Sequence, residues 1–531
     1  MRQSREKYLL YAGVCIALIP VLLLRDFTPS NELRYLSIAD EALRNHTLFA
    51  FTNHGVPYAD KPPLYLWLVM LSKCLFGQYH MWFLSLFSLI PALGIVRVMD
   101  HWTRQDMDSE CRSIARLMLL TSGLFTGIAI ILRMDMLMCL FIVLALRSFW
   151  RMYSGSHRHE GYLFPIYVFL AIFTKGPLGL LIPLCCSTVF LLLTHHGKQF
   201  FHYWGWRTWG ILAALCALWF GATYLEGGSS YLNNLIFHQT IDRAIHSFHH
   251  EGPVYYYLVT IWYSLAPWSL LAIGIILAVL RPKMVYSDLQ RFFLTVIVTT
   301  FVLISFISAK LQVYMLPLLP FLIYGSMMFL PRFRQNNWLR AAVALPAVAL
   351  ALLLPALIVL ASTTNLKHLD NGWFIAGATL LSISGVYALW QIYNKREPQY
   401  ITTAIRSMGL GVLCCLFVGG WGIPYLNKDI SYRAVCERAL KISEEKGISD
   451  FHVWGIKRAE NMDVYLHRSV EILPKDQVPA SPQEVPAILL MKKKDLKYLP
   501  EDTDVEIVGS YAVVVCTESN QAGILTELHN K

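Results

Sequence analysis

The chain has 531 residues, 56% of them hydrophobic and 15% charged, with a formal net charge of +10. A soluble protein carries roughly 25% charged residues. The apolar residues here fall in runs of about twenty, the length that crosses a hydrocarbon core of about 30 Å, which excludes an ordinary soluble enzyme. The positive charge sits in short loops between those runs, where it sets membrane orientation rather than binding nucleic acid. The eleven cysteines lie mostly inside apolar runs, such as Cys185-Cys186 and Cys414-Cys415, and read as small apolar residues. No CxxC or Cys/His zinc spacing occurs.

Arg2, Arg5 and Lys7 precede a first apolar run at 8–24, and no small-residue cleavage pattern follows it. It reads as an uncleaved span with its N-terminus in the cytoplasm. A polar stretch, 25–61, comes next on the outer side, and within it 30–43 has helical periodicity through Leu33, Ile38 and Leu43. The block 62–98 is too long for one span and is interrupted by Lys73 and by Gly77-Gln78-Tyr79-His80. It divides into an interfacial helix at 64–76 and a second span at 81–98. Further spans are predicted at 113–132, 134–150, 162–174, 177–194, 208–225, 254–280, 291–308, 312–330, 340–361, 372–393 and 406–424, thirteen in all. Inner loops then hold Arg104 and Arg112, Arg151 and Arg158, Lys198 and Arg207, Arg281 and Lys283, Arg332 and Arg334, and Lys395 and Arg396. This is the positive-inside asymmetry, and an odd count puts the C-terminus outside. From about Asn427 polar residues dominate, with a helical stretch at 432–446 and β-like runs at 451–454, 487–491 and 505–516. The predicted architecture is an all-α polytopic membrane domain, 1–425, followed by a small extracytoplasmic α/β domain, 426–531. Cys436 and Cys516 lie in that domain, where a disulfide is allowed, but the sequence does not place the two near each other.

Charges beside a bilayer are expensive and invite a functional reading. On this topology many gather at the outer face. The first outer stretch contributes Asn31, Glu32, Arg34, Tyr35, Asp40 and Glu41, then Tyr58, Asp60 and Lys61. Arg133 and Asp135 end a span, and Lys175 sits in the tight turn Thr174-Lys175-Gly176-Pro177. The segment 226–252 holds Asp242, Arg243 and the histidines His238, His246, His249 and His250, and Lys310 and Tyr314 flank another outer turn. Each residue alone reads equally well as a helix-end anchor or a snorkelling side chain. Together, cations suit a phosphate head group and carboxylates suit a general base. A lipid phosphate that carries a sugar uses both. The competing class is a transporter or flippase of lipid-linked sugars, which predicts polar groups near the bilayer midplane and a repeat between halves. The spans are instead apolar at their centres, with the charges at one face.

These residues also carry a resemblance. Pro29-Ser30-Asn31-Glu32-Leu33-Arg34-Tyr35, then Gly55-Val56-Pro57-Tyr58-Ala59-Asp60-Lys61-Pro62-Pro63, resembles the bacterial aminoarabinose transferases of lipid A. Those enzymes group with the protein O-mannosyltransferases among polyprenyl-phosphate-dependent membrane glycosyltransferases of GT-C type. Their pattern runs Pro-Asp-Glu-x-Arg-Tyr, then Tyr-x-Glu-Lys-Pro. Arg133-Met134-Asp135 is similar to their Arg-Thr-Asp, and Thr174-Lys175-Gly176-Pro177 matches their Thr-Lys-Gly-Pro. Lys310-Leu311-Gln312-Val313-Tyr314-Met315-Leu316-Pro317 is similar to their Lys-Leu-Pro-x-Tyr-Leu-Leu-Pro.

The resemblance implies a sugar donor on a polyprenyl phosphate held by Lys61, with Tyr58, Arg243 and Tyr314 as further phosphate contacts. Arg34, Arg133, Lys175 and Lys310 would belong to the same site. It implies one in-line displacement at the anomeric carbon, with a glycolipid or a protein as acceptor. Asn31 stands where the family has Asp, and an amide cannot act as a base at neutral pH. Either Glu32 or Asp135 supplies the carboxylate, or the acceptor is already an anion such as a phosphate, or the chain has diverged from catalysis; the expected catalytic residues are Asp135 and Glu32 as carboxylates, with Asn31 at the family's Asp position. Asp60 replaces the family's Glu; a divalent metal there would take Asp60 and a histidine such as His238.

Overall fold

The computed structural model describes residues 2–155, 159–236, 252–281, 284, 287–363, 371–394, 399–474, 486–499 and 503–516. Helices form along the apolar runs. Among the described residues seven are long and apolar enough to cross a membrane, or nine if each bent pair is one span. They include α1 (Arg2–Leu24), α4 (Met81–Trp102) and α7 (Asp135–Tyr153), together with Trp206–Asn233, Asp288–Phe306, Gly372–Asn394 and Tyr400–Gly420. The bent pairs are α5 (Ser109–Leu120) with α6 (Gly123–Ile130), and Asn337–Ala351 with Leu353–Thr363. The other predicted spans fall on shorter helices, α8 (Glu160–Lys175), α9 (Leu178–Leu193) and Leu318–Phe333, whereas 254–280, predicted as one span, divides into Tyr256–Ser264 and Ser269–Val279.

The segment 113–132, predicted as one straight span, bends by 60° between α5 and α6. Hydroxyls satisfy the carbonyls that the break leaves open. Thr121 Oγ1 donates to Leu117 O at 2.6 Å, Ser122 Oγ to Leu119 O at 3.0 Å, and Thr126 Oγ1 to Leu120 O at 2.9 Å. Local repair of this kind makes a break tolerable inside an apolar bundle.

Two short helices lie beside the C-terminal end of α1. The amphipathic α2 (Glu32–Asn45) buries Leu33, Tyr35, Leu36, Ile38, Ala39 and Ala42 on one face. The interfacial segment is α3 (Pro63–Phe76). Pro63 opens it, where a missing N–H costs nothing, and Gly77 closes it at φ 72°, its N–H donating to Lys73 O. Between them, β1 (Thr52–Asn53) and β2 (Val56–Pro57) form a small antiparallel hairpin. Glu41 ties the hairpin to α2 by accepting from the N–H groups of His54 at 2.6 Å and Gly55 at 2.9 Å. Lys73 Nζ and Tyr79 Oη both donate to Asp40 at 2.5 Å, which fixes α3 against α2.

After the helix Tyr400–Gly420 a short helix, Ile423–Ile430, leads into Arg433–Lys446 and a sheet. The sheet order is β4-β3-β5-β7-β6, with β3 (Phe451–Trp454) parallel to β4 (Glu471–Leu473) and β5 (Ala487–Lys492). The strands β6 (Val505–Val508) and β7 (Tyr511–Cys516) complete it antiparallel. The helix and the runs at 451–454 and 487–491 match the predicted elements, whereas 505–516, predicted as one run, turns at Gly509-Ser510 into the two antiparallel strands β6 and β7, and β4 is additional. Cys436 and Cys516 are both buried and unbonded. One apolar core joins α2 and α3 to this domain, running from Leu33 and Tyr65 to Val435, Leu490 and Val513. Polar contacts fix the docking. Asn461 Nδ2 donates to Pro29 O at 3.1 Å, Asn427 Nδ2 to Leu24 O at 2.7 Å, and Ser37 Oγ to Asp463 at 2.9 Å.

Candidate active site

Asp135 opens α7, where the helix dipole favours an anion, and Lys175 closes α8, where it favours a cation. The helix ends bring the two together. Asp135 is 1% exposed; Lys175 Nζ pairs with its Oδ1 and Arg133 Nε with its Oδ2, the latter at 3.0 Å. Both carboxylate oxygens are thus engaged by cations. The Lys175 ammonium also lies 4.9 Å from the ring centroid of Tyr314. Four predicted residues from three distant segments therefore form one group.

Tyr35, in α2, links this group to the first outer stretch. Burial pushes its phenol up; Arg133 and Arg34 then pull it down, and Asp135 and Asp60 push it up. Tyr35 and Tyr58 pack in one buried cluster with Leu132 and Met134, which flank Arg133, and Leu132 N donates to Glu32 at 2.8 Å, so the first stretch lies against the segment that carries Asp135. Arg34 lies 5.7 Å from the Tyr58 ring centroid and donates to Asn31 Oδ1 at 3.3 Å. Its Nε is buried with no hydrogen-bond partner among the described residues. Lys61 follows Asp60 directly and precedes the proline pair that opens α3.

Glu32 occupies a different environment from the one a base needs. It is 0% exposed and accepts five hydrogen bonds. Arg25 donates twice at 2.7 Å, Thr28 donates through N and Oγ1 at 2.7 and 2.9 Å, and Leu132 N donates at 2.8 Å. The carboxylate therefore ties the end of α1, the loop before α2 and the α6–α7 linker together. Lys310 has a similarly internal role. Its Nζ donates to the carbonyls of Ser305 at 2.6 Å and Ile307 at 2.5 Å, closing the end of the helix Asp288–Phe306. Its ammonium is 5.6 Å from the Tyr257 ring centroid, so it joins that helix end rather than the Asp135 group.

Sequence reasoning assigned no role to the clamp on the loop before the hairpin. Glu226 Oε1 accepts from the N–H groups of Leu48, Phe49 and Ala50 at 2.8, 3.0 and 2.9 Å. Tyr231 Oη accepts from Phe51 N at 3.0 Å and donates to Tyr58 O at 2.8 Å. Gly227 makes the approach possible, since a Cβ there would sit 2.7 Å from the Ala50 Cβ. The one available signal was a carboxylate near the end of an apolar run, which is expensive without a partner.

Arg243 and His238, with Asp242, His246, His249 and His250, lie outside the described residues. Among the described residues no group of three or more His, Cys, Asp or Glu side chains could hold a metal ion. The described donors around Asp60 thus do not by themselves make up a metal site, and His238 lies outside the described residues.

No family model matches the chain. It is 23% identical over 483 residues to an undecaprenyl phosphate-alpha-4-amino-4-deoxy-L-arabinose arabinosyl transferase of Pseudomonas fluorescens, covering 85% of this chain and 81% of that one. It is 23% identical over 465 residues to the transferase of that name from Edwardsiella ictaluri, covering 82% and 81%. The crystal structure of ArnT from Cupriavidus metallidurans bound to undecaprenyl phosphate superposes with a TM-score of 0.73 at 18% identity, over 96% of this chain and 98% of that chain. The chain is therefore a multi-pass membrane protein that has the fold of that ArnT and is similar in sequence to the aminoarabinose transferases.

Proposed function

We propose that this chain is an integral membrane glycosyltransferase that moves a sugar from a polyprenyl-phosphate donor to a phosphate of a lipid A-like glycolipid. It acts at the extracytoplasmic face of the bacterial inner membrane. The observation that supports this reading is the buried group in which Lys175 and Arg133 pair with Asp135 and Tyr314 lies beside Lys175, next to the cluster that packs Tyr35 and Tyr58 against Leu132 and Met134. Lys61 holds the donor phosphate as a point charge, with Tyr58 and Tyr314 as further contacts; Arg243, which the resemblance adds to them, lies outside the described residues. In the displacement the bond between the anomeric carbon and the donor phosphate oxygen breaks, and the lipid phosphate leaves with the electron pair. An acceptor oxygen forms the new bond from the opposite side. Cations fixed near the leaving phosphate stabilise its developing charge, and because they are pre-positioned no reorganisation is needed at that moment.

The acceptor assignment follows from the carboxylates. Glu32 accepts five internal hydrogen bonds, and both oxygens of Asp135 are held by cations. Neither is placed to take a proton from a neutral hydroxyl. A phosphate acceptor is already ionised at neutral pH and needs no base. Asp135 then serves as the positioning residue for Lys175 and Arg133. The test offers the same glycolipid with and without its phosphates to purified protein and donor. Transfer to the phosphorylated form alone supports the reading. Equal transfer to the dephosphorylated form, or to a protein hydroxyl, removes it.

A further inference from the structure

The opposite end of the bundle carries a second concentration of charge. Lys7 and Arg25 sit at the two ends of α1, separated by roughly 27 Å at 1.5 Å per residue, about one hydrocarbon thickness. Around Lys7 a cavity of about 450 Å³ lies between the start of α1, the α4–α5 corner and the start of the helix Tyr400–Gly420. Five cations line it, Lys7, Arg104, Arg112, Arg116 and Arg406, against the two carboxylates Asp100 and Glu110.

Both carboxylates are already ion-paired, although the buried Asp100 Oδ1 accepts no hydrogen bond among the described residues. Asp100 bridges Lys7 Nζ at 3.3 Å and Arg116 Nη1 at 3.4 Å. Glu110 pairs with Arg334, outside the cavity lining, at 2.8 Å and accepts from Thr402 Oγ1 at 2.7 Å. Arg104, Arg112 and Arg406 therefore face the cavity without an ion-pair partner among the described residues. The Nε atoms of Arg112 and Arg116 are buried with no hydrogen-bond partner among the described residues, and Arg116 is 7% exposed. Arg112 and Arg116 are one helical turn apart on α5 and share a face.

Orientation by inner-loop charge explains why basic residues are at this end. It does not explain guanidinium groups turned into one cavity with N–H donors left unpaired, which costs free energy unless an acceptor arrives. A phosphate supplies such acceptors, and guanidinium binds it with forked geometry as well as charge. Ser109, Ser113 and Gln399 add hydroxyl and amide donors to the wall.

We propose that this cavity is a phosphate-binding site separate from the donor site, filled by the head-group phosphate of an anionic lipid in the cytoplasmic leaflet or by free phosphate. The full-length protein is placed in nanodiscs of phosphatidylcholine with or without phosphatidylglycerol. Retained lipid is then counted by native mass spectrometry after mild delipidation, and inorganic phosphate is titrated separately by calorimetry. The variant is R112Q/R406Q, which removes two cations that hold no ion pair; R281Q, an inner-loop arginine outside the cavity, is the control. Two cations near a membrane surface correspond to a loss of roughly 10- to 30-fold in phosphatidylglycerol retention in the double variant, with the control unchanged. Phosphatidylglycerol retained without phosphate binding identifies the lipid as the source; phosphate binding that displaces it identifies free phosphate. Equal retention in wild type and R112Q/R406Q overturns the site. So does a wild type that neither prefers phosphatidylglycerol nor binds phosphate, a reading that needs no variant to fold.

Discussion

Replacing Glu32 by Gln separates an anchoring carboxylate from a catalytic one. The side chain is fully buried and balances Arg25, whose own side chain is 10% exposed. Gln keeps the shape but removes the charge, and it turns one acceptor oxygen into a donor that faces N–H and O–H donors. Breaking a buried ion pair from one side costs roughly 3–5 kcal/mol, because the remaining charge is left uncompensated. Loss of a general base instead costs about 10²–10⁴ in rate and leaves stability alone. Thermal unfolding of purified Glu32→Gln in detergent, alongside turnover at saturating donor, distinguishes the two. The expected result is a clearly lowered unfolding midpoint, with turnover per folded molecule reduced far less than a lost base would require. An unchanged midpoint with a turnover loss of two decades or more would refute the anchoring role and return Glu32 to the chemistry.

Three further outcomes are expected. Asp135→Asn strands Lys175 and Arg133 in a buried setting, so it destabilises the protein and cuts turnover; adding Lys175→Met recovers part of the stability, and a double-mutant cycle that shows no coupling contradicts the pairing. Asn31→Asp is tolerated, because Arg34 Nη2 already lies 3.3 Å from the side-chain oxygen, and an activity assay that finds the variant dead opposes this. Asp463 carries a carboxyl pushed up by burial, an effect that the Ser37 hydrogen bond and the His54 charge lower only in part and that Asp40 reinforces. Its folded form holds the proton more tightly than the unfolded chain does, so its contribution to stability falls as pH rises from the ordinary carboxylate range through the raised value, and stays low at neutral pH. Asp463→Asn should therefore raise the unfolding midpoint at pH 7 and flatten its dependence over that window; a lower midpoint at pH 7 would contradict this.

Much of the architecture is legible in the sequence because a bilayer demands it. Apolar runs, loop arginines and the break at Gly77-Gln78-Tyr79-His80 predict many of the helices, including the interfacial helix at 64–76, which the structure begins one residue earlier at Pro63. The bend between α5 and α6 was not legible, since Thr121, Ser122 and Thr126 repair it locally and leave the hydropathy continuous. The motifs identified Asp135, Lys175, Arg133 and Tyr314 as site residues, and those four do meet. They could not separate Glu32 and Lys310 from that group. What decides Glu32 is Arg25 and the backbone of Leu132, 100 residues away; what decides Lys310 is the end of a neighbouring helix. Partners of that kind are fixed by tertiary packing and leave no local pattern. The Glu226 and Tyr231 clamp on the loop before Tyr58 was missed for the same reason.

The central claim is that Lys61, just before the proline pair that opens α3, holds the donor phosphate for sugar transfer. The direct measurement follows radiolabelled sugar from a panel of undecaprenyl-phosphate donors to a phosphorylated lipid A-like glycolipid, using purified wild type and Lys61→Ala in proteoliposomes. The wild type is expected to consume at least one donor and label the glycolipid. Lys61→Ala should insert and unfold like the wild type while transferring nothing. Donor that crosses the bilayer without being consumed by the wild type, or transfer by Lys61→Ala at the wild-type rate, would contradict the account.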